Sequence, residues 1–193
     1  MLDLWKESSY DIFKMFVNQI GMTMFGLVLS FATQQNDTLF WIATVFSVLF
    51  YLFLLYSMTW DIGNAEKIRI DGGRLRYRPL KGFWLSLFAN ALNILLAILI
   101  IIGFFSASVY ENGAPASPTW AVNLYGTPRV IATFLQAMYA AFFSINYSGA
   151  PWLSPFMFLL VVLPALVTCT AAYIAGVKGF RVFPQTKPRR KKQ

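Results

Sequence analysis

WDIGNAEKIRIDGGRLRYRPLKG, residues 60–82, decides how this chain is read. It is the one long polar interruption in the first half of the sequence, and it separates two apolar runs that are each long enough to cross a bilayer. Six basic residues (Lys67, Arg69, Arg74, Arg76, Arg78, Lys81) stand against three acids (Asp61, Glu66, Asp71). That excess assigns the stretch to the cytoplasmic side, and the rest of the topology follows from it.

Within the stretch, Lys67-Ile68-Arg69-Ile70 and Arg74-Leu75-Arg76-Tyr77-Arg78 alternate basic and apolar residues with period two, the pattern of a strand. Asp71-Gly72-Gly73 between them supplies the positive φ of a tight turn. The spacing predicts a short cytoplasmic β-hairpin with Ile68, Ile70, Leu75 and Tyr77 on one face. Its other face would oppose Arg69 to Arg76 and Lys67 to Arg78, a destabilising arrangement unless an anion neutralises it. Lys67, Arg69, Arg74, Arg76 and Arg78 are therefore candidate contacts for anionic lipid or an acidic partner. The simpler alternative is a loop whose charges serve orientation only. Nucleic acid is disfavoured, because so short a ribbon so near the bilayer cannot wrap a duplex.

Outward from this loop, composition sets the class. Of the 193 residues 58% are hydrophobic and only 12% are charged, about half the charge of a soluble domain. The chain reads as an all-α integral membrane protein. It contains no histidine, so the commonest general base and metal ligand is missing. Its single cysteine, Cys169, can form no disulfide within the chain. Nothing in the pattern calls for a cofactor or a metal.

Four apolar segments, about 12–33, 38–59, 83–106 and 154–177, are the expected spans. The N-terminus lacks the pattern of a removable signal peptide. Ser8 with Asp11 three residues on resembles a helix-capping box. Gln34 to Asp37 makes a short polar turn between the first two spans. Ser154-Pro155 is expected to open the last span, with a kink at Pro164.

Residues 107–153 form the expected outer region. A loop rich in Gly, Pro, Asn and Ser reaches to Pro128, and an amphipathic helix, interfacial or re-entrant, covers Arg129 to Tyr147. Trp120, Tyr125, Tyr139, Tyr147 and Trp152 fit an aromatic belt there. Two sequons, at Asn36 and Asn146, fall on the same side. A basic tail occupies residues 178–193.

Counting charge decides between four spans and five. With four, every one of the 16 Lys and Arg residues except Arg129 lies on the side of the termini and the 60–82 loop. A fifth span would move the tail outside and nearly abolish the bias. The expected protein is thus a single multi-pass domain, residues 1–193, in the cell membrane with both termini cytoplasmic.

Small and weakly polar residues recur at helical spacing on three spans: Gln19, Thr23, Gly26 and Ser30; Ser86, Asn90, Asn93 and Ala97; Ala165, Thr168, Ala172, Ala175 and Gly179. Such stripes are where helices meet in lipid. Gln19, Asn90 and Asn93 are the intramembrane polar candidates, either bonding between helices or lining a small solute cavity.

Two functional classes follow. One is a non-enzymatic subunit, scaffold or partner-binding module, alone or as a homo-oligomer, suited by small extramembrane parts and a basic inner surface. The other is an oligomeric transporter or channel using the amides. An enzyme is the least supported class, since the acids are scattered without metal-ligand spacing.

Overall fold

The computed structural model describes residues 2–111, 119–145 and 153–180. It is all helical: α1 (Leu2–Thr33), α2 (Asp37–Asp71), α3 (Lys81–Ala89), α4 (Ala91–Glu111), α5 (Thr119–Leu135), a 3₁₀ turn (Ala137–Tyr139), α6 (Ala140–Phe143), α7 (Leu153–Leu160) and α8 (Leu163–Lys178). Among the described residues, three stretches are long and apolar enough to cross a membrane: Ser8–Thr33, Asp37–Asp71 and Leu153–Lys178. α3 and α4, set at 64°, make a fourth if the pair is one span.

Helix α2 starts where a cap permits. Asn36 Oδ1 accepts from the Leu39 N–H at 3.1 Å, and Asp37 places a negative charge in the first turn. The helix does not stop after Thr59. It continues to Asp71 and takes Lys67 to Ile70 with it, so the expected β-hairpin is corrected: among the described residues there is no strand. A propagating helix gains one hydrogen bond per residue fixed, whereas a hairpin must be nucleated afresh and would face its own like charges.

Asp71-Gly72-Gly73 still turns the chain, but as a helix stop. The Gly72 N–H donates to Ile68 O at 3.1 Å, the Arg74 N–H donates to Arg69 O at 2.9 Å, and Gly73 has φ of +69°. A glycine at positive φ suits a hairpin turn and a helix C-terminus equally.

Other expectations also shift. The third span is interrupted at Asn90. The amphipathic helix begins at Thr119, well before Arg129, runs through the buried Pro128 and ends at Leu135, so 129–147 is not one helix. The last span is interrupted at residues 161–162, with Pro164 in the first turn of α8. Proline supplies no N–H to the preceding turn, which explains a break there. Ser8 lies inside α1 and is buried, so it caps nothing. The outer loop at 112–118, the Asn146 sequon, Tyr147, Trp152 and the basic tail beyond Phe180 lie outside the described residues.

The helices pack as two joined groups. α2 lies along α1 and α8, with α3 against α8 and α1. This group buries Met15, Tyr51, Leu55, Leu85 and Cys169. α4 leans away at the Asn90 bend and is held by α5 and α7, burying Leu96, Ala97, Ile100, Ala132 and Phe158. Outward-facing Phe13, Val28, Phe31, Phe46, Leu49 and Leu95 remain exposed, an apolar surface of the kind that faces lipid.

The packing stripes are largely as expected. Gln19, Thr23 and Gly26 are buried, as are Ser86, Asn90, Asn93 and Ala97. On α8 the buried face is rotated to Ala165, Cys169, Ala172 and Gly176, while Gly179 is exposed. Gly176 sits against Gly63, bringing α2 and α8 to backbone contact.

Candidate functional site

Two polar clusters are built into this frame. The first closes one end of the bundle. Glu66, on the last turns of α2, pairs with Lys81 at the start of α3, and both residues are buried. Tyr173 of α8 donates its hydroxyl to Glu66 Oε2 at 2.7 Å. Three helices are thus tied by one carboxylate. Nearby, the Trp60 indole N–H donates to Phe180 O at 2.8 Å, and Lys67 Nζ lies beside Gly179, the C-cap of α8, where a cation suits the helix dipole.

Sequence reasoning counted Glu66 and Lys81 as loop charges and missed this cluster. The signal was the spacing of Thr59, Gly63 and Glu66, at i, i+4 and i+7 on one helix face, all buried. It is visible only once α2 is known to continue past Thr59. The remaining candidate contacts separate accordingly. Lys67 is half-buried against α8, whereas Arg69, Arg74, Arg76 and Arg78 are exposed just beyond the ion pair. With them, Ile68 is 75% exposed, so the predicted apolar packing face does not form there.

The second cluster lies where the interrupted helices meet. Gln19, Tyr51, Asn90, Asn93, Gln136 and Tyr139 line one cavity together with Val161, Val162 and Ala165. All three predicted intramembrane amides are therefore brought to one place. Their bonding differs from expectation. Asn93 donates to Asn90 Oδ1 at 3.2 Å, and Asn90 donates to Ser86 O at 3.0 Å, both within the α3–α4 bend. Gln136 and Tyr139 were not foreseen as members. Tyr139, expected in the aromatic belt, is instead buried beside the cavity.

The segment carrying them is a dip and return. α5 runs beside α4, and its end meets Thr23, whose hydroxyl donates to Leu135 O at 2.7 Å. The 3₁₀ turn then passes Gly26 so closely that a Cβ there would stand 2.6 Å from Met138 Cα. α6 leads back towards the start of α2, with Phe142 edge-on to Trp41 at 5.3 Å. Thr23 is ten residues from the end of α1, or about 15 Å of helix, so the tip lies near mid-bundle.

Irregular backbone at such depth must find partners inside the protein. It does. Thr23 serves the Leu135 carbonyl, Thr44 Oγ1 accepts from the Ala141 N–H at 3.4 Å, and Gln136 Nε2 donates to Phe158 O at 3.4 Å, one turn before the α7–α8 break. Midway along α5, Arg129 donates to the Tyr125 hydroxyl at 2.5 Å.

The chain matches no known protein family, no curated protein and no solved structure.

Proposed function

We propose that this protein is a non-enzymatic membrane subunit or scaffold that works through its outer helix faces and its basic inner surface. The observation that carries this reading is how little room the described residues leave at the interior polar cluster. The central cavity measures about 10 Å³, room for one water and for no solute, and its walls are tied by side chains of α1, α2 and the α5–α6 dip. By contrast, an apolar groove of about 690 Å³ opens on the outside between α1 and the α3–α4 bend, lined by Tyr10, Phe13, Phe16, Phe88 and Leu92. Exposed Arg69, Arg74, Arg76 and Arg78 support contact of the inner end with anionic lipid, each basic residue near such a leaflet being worth about 1 kcal/mol.

A second reading, an oligomeric transporter or channel, is favoured by one feature. Interrupted helices meeting at amides near mid-membrane are how many transporters build a substrate site. Purification in mild detergent separates the two. A stoichiometric protein partner, with no solute flux from proteoliposomes, supports the subunit. Flux by the purified protein alone, abolished by Asn93→Leu, replaces it with the transporter.

A further inference from the structure

The polar atoms around the central cavity are not all used by one another. Gln19 Oε1, Gln136 Oε1 and the Tyr139 hydroxyl are buried and meet no protein hydrogen-bond partner. Their residues are 4%, 1% and 4% exposed and line the same cavity. Leaving three such groups dry is expensive, because each loses its hydrogen bonds to solvent without replacement. They also come from two different elements, α1 and the tip between α5 and α6.

We propose that this site binds one ordered water molecule, which joins α1 to the tip. A water has two protons and two lone pairs. It would donate to the two amide oxygens and accept from the tyrosine hydroxyl, about the three hydrogen bonds that a buried water usually makes. The cavity volume of about 10 Å³ matches one water and excludes a larger polar guest. A divalent cation would ask for about six oxygens with carboxylates among them, and these three groups are neutral. The water is then a structural member of the bundle. It completes the hydrogen bonding of a dip whose backbone groups at Leu135 and Ala141 are already served by Thr23 and Thr44. This inference stands whether or not the outer surface binds a partner.

Radiolytic hydroxyl labelling of the full chain in nanodiscs, read by mass spectrometry, tests it, because an ordered internal water generates radicals beside its neighbours. The expected result is oxidation of Tyr139 and Met138 despite their burial, at a dose that also marks the exposed Tyr77. The Gln19→Leu/Gln136→Leu double variant should lose the labels at Tyr139 and Met138 and keep that at Tyr77. Where the double variant does not fold, the near-isosteric Gln136→Met should show the same loss. Unlabelled Tyr139 in the natural protein, or labelling that persists in the variants, overturns the proposal. A melting temperature that rises with sodium but not with choline also overturns it, assigning the site to a monovalent cation instead.

Discussion

Glu66 shows how one side chain can hold three helices. Its carboxylate takes the Lys81 ammonium from α3 and the Tyr173 hydroxyl from α8, all out of water. A buried ion pair of this kind stabilises little relative to an apolar pair of the same shape, but it is costly to break on one side only. Lys81→Met should therefore destabilise the protein by about 3–5 kcal/mol. Glu66→Gln combined with Lys81→Met should recover most of that loss. Thermal unfolding of the single and double variants in detergent checks the ordering. A double variant as unstable as Lys81→Met would show that the cluster does not act as a pair. Tyr173→Phe removes a hydrogen bond to a charged acceptor and should cost about 1.5–3 kcal/mol by the same measurement.

Among the helices, the α5–α6 dip is the most demanding element. It enters because Gly26 leaves room for the backbone of Met138 and because Thr23 and Thr44 meet the polar groups that the turn frees. Gly26→Val should expel the tip, with overpacking worth about 1–3 kcal/mol, and should expose backbone amides near Met138 to hydrogen exchange. Unchanged protection at 135–141 would mean that the close approach is not what seats the tip. Thr23→Val should have a smaller effect, about 1 kcal/mol, as interhelical hydrogen bonds in membranes usually do.

How far the sequence discloses these elements depends on the range of the signal. Apolar runs mark the spans because length and hydropathy are local properties. The buried polar stripe of α3–α4 is likewise visible as Ser86, Asn90, Asn93 and Ala97 at helical spacing. Asp71-Gly72-Gly73 is legible as a turn but not as which turn, since helix C-termini and hairpins ask the same of glycine. Gln136 and Tyr139 are opaque, because their burial is decided by Gly26 and Thr23, more than a hundred residues away, and no local pattern carries that information.

The whole molecule carries its charge unevenly, with six of its 16 Lys and Arg residues in the stretch 60–82. Exposed Arg69, Arg74, Arg76 and Arg78 all fall in the segment between Glu66 and Lys81, whose ion pair closes one end of the bundle. Charge reversal at Arg74 and Arg76 should loosen association of the nanodisc-held protein with anionic liposomes in a flotation assay, and added salt should do the same. Flotation untouched at low salt would reduce these residues to orientation signals.

Four membrane crossings, with α5 and α6 entering and returning to the same side, are the topology that we expect of this bundle. Substituted-cysteine labelling with a membrane-impermeant maleimide tests this most directly, using the buried Cys169 as a silent background. Thr119, Ile145 and Gly73 are exposed and serve as reporter positions. In intact cells Thr119→Cys and Ile145→Cys should both label from outside, and Gly73→Cys only after permeabilisation. Labelling of Thr119→Cys and Ile145→Cys from opposite sides would make the segment a fifth crossing and contradict the account.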